Sequence, residues 1–227
     1  MIQVFIGWDS RETVAWNVCK HSIMARTDPE QVMVKPVMQP ELREIGLYTR
    51  PIDLQASTEF SLTRFLTPTL AGPHGFAIFV DCDFLFLADI RRVFEEVDPT
   101  KAVSVVKHDY KPAETTKMDG QIQHAYPRKN WSSFIVFNCY HPSVQKLTPD
   151  VVNTAEPGYL HQFKWLDDSE IGGLDLGWNY LAGCKQGPYN RLNAIHYTLG
   201  GPWFEARQDC EYAQAWITER DIMLGQT

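Results

Sequence analysis

An α/β domain with a mostly parallel central sheet flanked by helices is the expected fold, on three grounds. A β-branched and aromatic run at Ile2 to Ile6 is followed by an apolar face at helical spacing and then by a second strand-like run from Val32 to Val37, an order that makes the two strands parallel. Gly75-Phe76-Ala77-Ile78-Phe79-Val80 is continuously apolar and starts at a glycine, as befits a central strand covered on both faces. The balance of 44% hydrophobic and 22% charged residues over 227 positions is that of a globular chain. Such a chain buries roughly 70% of its unfolded surface without needing disulfide staples.

In chain order, the first strand stops at the loop Gly7-Trp8-Asp9. Val14, Val18 and Ile23, with Ala15, Cys19 and Met24, give the next helix its apolar face, and Asp28-Pro29 ends it. The second strand precedes Pro40. Beyond an irregular stretch from Tyr48 to Ser57, Phe60 to Leu66 reads as a helix that stops near Pro68. The central strand then runs straight into Asp81-Cys82-Asp83. Ala102 to Val106 and a segment containing Ile135-Val136-Phe137 are further buried strands. Between them lies Lys107 to Asn130, long, polar and aperiodic, and loops of that length inside compact domains tend to be functional. The C-terminal part is rich in Gly, Trp and Tyr and closes with a helix from about Tyr212 to Ile222. Neither a repeat nor a low-complexity linker divides the chain, so a single domain over 1–227 is expected.

Composition narrows the function. With 21 Lys plus Arg against 28 Asp plus Glu, the formal charge is −7, and no broad basic face exists for nucleic acid. The five cysteines are odd in number, scattered, and without a Cys-x-x-Cys pair, which argues against a zinc site or a disulfide framework and fits reduced thiols in the cytosol. The start of the chain lacks a basic, then long apolar, signal-peptide pattern, and no segment approaches ~18 uninterrupted apolar residues. The expected location is the cytoplasm, with at most peripheral association with the inner face of a membrane.

Asp81-Cys82-Asp83 ends a buried strand, where open α/β sheets place their ligands. Alternation along an extended segment sends Asp81 and Asp83 to one side and Cys82 to the other. Two converging carboxylates suit Mg²⁺ or Mn²⁺, whose remaining ligands are waters and substrate phosphate oxygens, and a diphosphate leaving group needs that neutralisation. The alternative is that the acids only cap the segment from Phe84 to Phe94. His196-Tyr197-Thr198-Leu199-Gly200-Gly201-Pro202-Trp203 is the second feature. An imidazole can complete a metal site and consecutive glycines let backbone N–H groups approach phosphate, although a lone histidine is more often structural.

Val80-Asp81-Cys82-Asp83, preceded by Arg64-Phe65 and followed by His196-Tyr197 and Gly200-Gly201-Pro202-Trp203, resembles the GT-A glycosyltransferases of family 8, the group of glycogenin and the bacterial lipopolysaccharide galactosyltransferases. The order of the remaining motifs is similar over nearly the whole chain: the Gly7-Trp8-Asp9 loop, a middle strand ending at Asn138, the acidic Trp165-Leu166-Asp167-Asp168, and Trp178-Asn179. Small bacterial and large-virus glycosyltransferase domains also look similar, through Lys117-Met118-Asp119-Gly120 and Lys129-Asn130-Trp131-Ser132-Ser133.

The resemblance implies a GT-A fold and a transferase that moves a sugar from a nucleoside diphosphate, UDP first among them, to a glycan or lipid-linked acceptor, with retention of configuration. By the same resemblance Asp81, Asp83 and His196 hold Mn²⁺ or Mg²⁺, Gly200 and Gly201 line the diphosphate, and Gly7, Trp8 and Asp9 form the base-binding loop. Arg64 matches an arginine that steadies the donor site; otherwise it is a surface residue in a weak exposed ion pair. Asp168 matches the residue nearest the reacting sugar carbon, or else is a helix N-cap or solvated acid. Asp119, Lys129, Trp131, Ser132 and Asp167 fall on the sugar and acceptor side. Trp131, Trp165 and Trp178 either stack on sugars or pack in the core. The segment from Lys107 to Asn130 is expected to close over donor or acceptor, a static surface loop being the alternative.

Two departures from the family stand out. Its phosphate-contacting lysine before Pro-Trp is replaced by Gly201, leaving Lys107, Arg128 or Lys129 as sources of that charge. Its Phe-Asn-Ala-Gly donor stretch is replaced by Asn130-Trp131-Ser132-Ser133. The rival functions are a metal-dependent nucleotidyltransferase or phosphatase, which a glycine-rich Walker loop would have supported, and a catalytically silent sugar-binding module.

Overall fold

Short apolar runs separated by turns give strands β1 (Ile2–Gly7), β2 (Val32–Val37), β3 (Phe76–Val80), β4 (Phe84–Phe86), β5 (Val103–Val106), β6 (Phe134–Asn138), β7 (Ile171–Leu174), β8 (Tyr180–Leu181) and β9 (Ala194–His196). The structure, a computed structural model, describes residues 1–53, 56–109 and 127–226. Six strands form the main sheet in the order β2-β1-β3-β6-β5-β7, and β4-β9-β8 form a second, smaller sheet. Within the main sheet β2, β1 and β3 are mutually parallel, as are β5 and β7, while β6 runs antiparallel to both its neighbours. The expected α/β fold with a mostly parallel sheet is therefore the observed one.

The register follows burial. Val4 pairs with Val34 on one side and Ile78 on the other, and Val4, Ile78 and every residue of β6 except Asn138 are at most 1% exposed. Pro36 is tolerated because β2 is an edge strand, where a missing N–H breaks no inner ladder. The helix expected after β1 is α1 (Thr13–Met24), which buries Ala15, Val18, Cys19, Ser22 and Ile23; Val14, expected on that face, sits in the first turn and is exposed. Short helices lie at α2 (Gln39–Glu44), α3 (Thr67–Ala71), α4 (Pro142–Gln145), α5 (Pro149–Thr154) and α6 (Pro157–His161), and the chain closes on α7 (Ala213–Met223).

The helix expected from Phe60 to Leu66 needs correction. Only Thr63–Leu66 is helical there, as a 3₁₀ turn, and Pro68 lies in the first turn of α3 rather than ending a helix. Proline lacks only an N–H that the first turn leaves unbonded anyway, so it starts helices as readily as it stops them.

The C-terminal α7 is fastened to α1 by a buried acid. Glu219 accepts from Arg26 Nη1 at 3.0 Å and Nη2 at 2.7 Å, and lies 2.7 Å from His21 Nδ1. Burial pushes the Glu219 carboxyl up, but the Arg26 hydrogen bonds and charge, with His21, outweigh it and hold the group below the ordinary glutamate range. A depressed folded-state value means stability that is present above the unfolded glutamate range and is lost as pH falls through the folded value. Glu219→Gln is expected to cost about 2 kcal/mol at neutral pH, and urea unfolding should show the difference from wild type shrinking in acid.

Candidate metal and donor site

The main sheet delivers the acidic pair to the C-terminal end of its inner strand β3, and a turn makes them converge. β3 ends at Val80, and Asp81-Cys82-Asp83 forms the link by which the chain leaves the main sheet for the smaller one. Asp81 N–H still donates to Ser133 O at 2.9 Å beside β6, while Asp83 O accepts from Tyr197 N at 2.9 Å. Cys82 is buried, and the chain here is a turn rather than continued strand alternation. The capping alternative fails: Phe84–Phe86 is a strand, and the 3₁₀ turn Ile90–Glu95 is capped by Asp89, which accepts from Arg91 N at 2.9 Å.

The pairing of β4 with β9 sets Phe84 opposite His196, which carries the histidine to the acids from far along the chain. His196 is 2% exposed, its ring stacks on Phe84 at 4.4 Å, and its Nε2 lies 3.3 Å from Asp83 Oδ1. One ligand atom each from Asp81, Asp83 and His196 fall within 4.8 Å of one another. The other ring nitrogen, Nδ1, is 2.8 Å from Asn179 Oδ1, so Nε2 is the atom turned to the carboxylates. Two partly buried carboxylates with one buried imidazole nitrogen, just past the C-terminal end of β3, fit a divalent cation such as Mn²⁺ or Mg²⁺ that leaves positions for phosphate oxygens.

Arg64 is not the surface residue of the bland alternative. It is 5% exposed, pairs with Asp81 Oδ1 at 2.7 Å, and donates to Ser132 O at 2.8 Å and Ser61 O at 3.0 Å, with its guanidinium over the rings of Phe60 and Phe79. It lies in the 3₁₀ turn Thr63–Leu66, all four residues of which are buried. Arg64 thus fixes Asp81 and ties it to the Ser132 segment.

Gly7 is required by packing, since a Cβ there would sit 2.4 Å from the Phe60 ring. Trp8 is half-buried and its N–H donates to Val37 O at 3.1 Å. Asp9 is fully buried: it accepts from Arg11 N and Glu59 N, both at 3.0 Å, and pairs with Arg11 Nη2 at 2.8 Å. Burial alone would raise its carboxyl, but the Arg11 and Glu59 hydrogen bonds hold it below its ordinary value. Asp9 therefore shapes the loop from within. Glu12 accepts from Trp203 Nε1 at 3.1 Å, which joins this loop to the glycine loop.

Gly200 adopts a positive φ of 92° and uses its N–H on Tyr197 O at 2.7 Å. Gly201 is buried, and a Cβ there would meet the Trp203 ring at 2.0 Å, so no larger side chain, lysine included, fits here with Trp203 in place. Of the other expected sources of charge, Lys107 Nζ donates to Ile171 O at 2.7 Å, Arg128 donates to Gln162 O at 2.9 Å and pairs with Asp168, and Lys129 is buried.

On the expected sugar side, the Asp168 side chain is 85% exposed against Arg128. The N-cap considered for Asp168 belongs to Asp167, which precedes the 3₁₀ turn Asp168–Glu170 and whose N–H donates to Glu170 Oε2 at 2.9 Å. Ser132 is buried against His161 Nδ1 at 2.9 Å. Trp131 is half-buried, donates from Nε1 to His108 O at 2.9 Å, and has Lys107 and Arg128 near its ring. Trp178 is a core residue, 1% exposed and stacked on Phe134, and Trp165 packs against the same core. Asp119, Lys117-Met118-Asp119-Gly120 and most of the expected lid lie outside the described residues.

Three neighbours of the site escape sequence reasoning in these roles. Asn179 is fully buried against His196, and Ser133 lies behind it. His108 is a buried imidazole just beyond β5, beside Asn179 and His196, pushed down to about 3 by burial, then by the charge of His196, against a contact from Asn179. Its position past the C-terminal end of a buried strand is the available signal.

No family model matches the chain. Among solved structures it is similar to the bifunctional glycosyltransferase WbbM (TM-score 0.66, 14% identity, 100% of this chain and 51% of that one). The glycosyltransferase GlyE of Streptococcus pneumoniae TIGR4 is similar at TM-score 0.62 and 12% identity, over 99% of this chain and 62% of its own. The galactosyltransferase LgtC, solved with donor and acceptor sugar analogs, gives TM-score 0.57 and 10% identity over 97% and 95%. The chain spans about half the length of WbbM, and at these identities the three show a shared GT-A fold. Protein CDI of Arabidopsis thaliana is 48% identical over 223 residues, covering 96% of this chain and 86% of its own. At that identity and coverage, the chain belongs to the family of Protein CDI.

Proposed function

We propose that this chain is a metal-dependent glycosyltransferase acting as one catalytic domain over 1–227. It moves a sugar from a nucleoside diphosphate, UDP first among candidates, to a glycan or lipid-linked acceptor, with retention of configuration, in the cytoplasm or at the inner face of a membrane as a peripheral protein. The observation that carries the reading is the convergence of one ligand atom each from Asp81, Asp83 and His196 within 4.8 Å, with Gly200-Gly201 four residues after the histidine. The likeness in fold to WbbM, GlyE and LgtC supports it, as does the family 8 order of motifs. Among the described residues no helix is long and apolar enough to cross a membrane.

In this reading Asp81, Asp83 and His196 hold Mn²⁺ or Mg²⁺, which when bound neutralises the charge of the departing diphosphate. Arg64 keeps Asp81 in place. Gly7 and Trp8 offer the base its loop, buttressed by Asp9. Because the Gly200 amide is already bonded to Tyr197 O, the phosphate contact at the glycine loop falls to Gly201. Asp168 serves the reacting sugar carbon, and Asp119, Lys129, Trp131, Ser132 and Asp167 serve the sugar or acceptor. Orientation of the acceptor hydroxyl against the anomeric carbon supplies the rest. The carbon–oxygen bond to the diphosphate breaks, the acceptor oxygen bonds to that carbon, and the hydroxyl proton leaves with the diphosphate or to solvent.

The test is a panel of nucleoside-diphosphate sugars incubated with Mn²⁺, Mg²⁺ or chelator. Release of nucleoside diphosphate that depends on the cation, fastest with a UDP-sugar, is expected. Release of pyrophosphate or inorganic phosphate instead would make the chain a nucleotidyltransferase or phosphatase, and binding without turnover would make it a silent module.

A further inference from the structure

Asn179 comes directly after the 3₁₀ turn Leu176–Trp178 and leads into β8, with its side chain fully buried. Its two amide ends face different partners. Nδ2 lies 2.9 Å from Ser133 Oγ and 3.2 Å from Asn130 O, while Oδ1 lies 2.8 Å from His196 Nδ1. Asn130 O accepts only, and the Ser133 hydroxyl gives its single proton to that same carbonyl at 2.7 Å, which leaves its lone pairs for Asn179. Both groups on that side therefore demand a donor, and the amide nitrogen must face them. Turning the amide over would set its carbonyl against the carbonyl of Asn130 and its NH₂ against the ring.

With Oδ1 thus fixed as the atom facing His196, Nδ1 must carry a proton, because a carbonyl cannot donate one. We propose that Asn179 is a positioning residue: it holds a His196 proton on Nδ1, so that Nε2 is the nitrogen left to give its lone pair to a cation between Asp81 and Asp83. The stack on Phe84 sets the plane of the ring, and Asn179 sets which nitrogen is bare. Ser133, just before β6, and Asn130, in a left-handed turn with φ 65°, hold the amide in turn, so the loop ahead of β6 controls a ligand at the end of β9. Outer partners of this kind orient and tune metal-bound imidazoles. The inference rests on the proposed metal site only for the identity of what Nε2 meets.

The test combines ¹⁵N–¹H spectra of histidine-labelled protein without metal, His196 being assigned by its absence in His196→Gln, with Mn²⁺ titrations followed by electron paramagnetic resonance. In wild type, His196 Nδ1 should carry a hydrogen-bonded proton. In Asn179→Leu, of similar volume but with no acceptor, that proton should leave Nδ1 and Mn²⁺ affinity should fall roughly 10–100-fold. A wild-type spectrum with Nδ1 bare overturns the proposal, as does a folded Asn179→Leu with both spectrum and affinity unchanged. Should Asn179→Leu not fold, the wild-type spectrum still decides, together with Ser133→Ala, which releases one restraint on the amide and should weaken Mn²⁺ binding by less. A wild type that carries the Nδ1 proton yet binds no Mn²⁺ would sink the metal site and leave the role of Asn179 standing.

Discussion

Asp83→Asn is expected to weaken Mn²⁺ binding by more than the roughly 10–100-fold that loss of an outer-shell partner costs, and turnover should fall with it. The amide keeps the shape of the carboxylate, so the turn between β3 and β4, held by Asp83 O and Tyr197 N at 2.9 Å, is preserved while one charged oxygen is lost. Thermal unfolding should therefore move little in the absence of metal. Calorimetric titration of Mn²⁺, run beside nucleoside diphosphate release, separates the outcomes. A variant that binds Mn²⁺ and turns over like wild type would show that the acids do not hold the cation.

Arg64→Met is expected to cost about 3–5 kcal/mol in stability, the scale seen when one partner of a buried ion pair is removed. The Asp81 side chain, 14% exposed, would lose the guanidinium 2.7 Å away, and Ser132 O and Ser61 O would lose a donor. Saturating Mn²⁺ should restore part of that loss, because a ligand that binds only the folded state stabilises it by mass action and the freed carboxylate binds the cation more strongly. Arg64→Lys should not rescue fully, since one ammonium cannot serve three oxygens with the geometry of the planar fork. Urea unfolding with and without Mn²⁺ measures all three. Equal stability of Arg64→Met and wild type would mean that the pair contributes nothing to the fold.

Legibility in the sequence depends on how local each signal is. β3 and the acidic link after it are legible because a continuous apolar run between glycine and aspartate has few other meanings. β4 and β9 are not: three residues are too few for periodicity, and it is their pairing that brings His196 to the acids. The histidine is linked to Asp81 and Asp83 in the sequence only through the ordered family resemblance. Arg64 can be taken for a surface residue because the partners that bury it, Asp81 and Ser132, lie far along the chain, Ser132 68 positions away. Asp9 looks like a loop acid open to ligand, yet its oxygens are taken by Arg11 and by the backbone of Glu59, a partner 50 positions away. Asn179 stands out as part of a motif, but its role depends on Ser133 and His196, 46 and 17 positions distant.

The decisive measurement is calorimetric binding of uridine diphosphate in the presence and absence of Mn²⁺, in wild type and in Asp81→Asn, Asp83→Asn and His196→Ala. If these three side chains form one cation site beside the diphosphate, wild type binds the nucleotide strongly only with Mn²⁺, and each variant loses the metal-dependent part together with its affinity for Mn²⁺. Nucleotide binding indifferent to Mn²⁺ in wild type, or metal-dependent binding retained in all three variants, would contradict it.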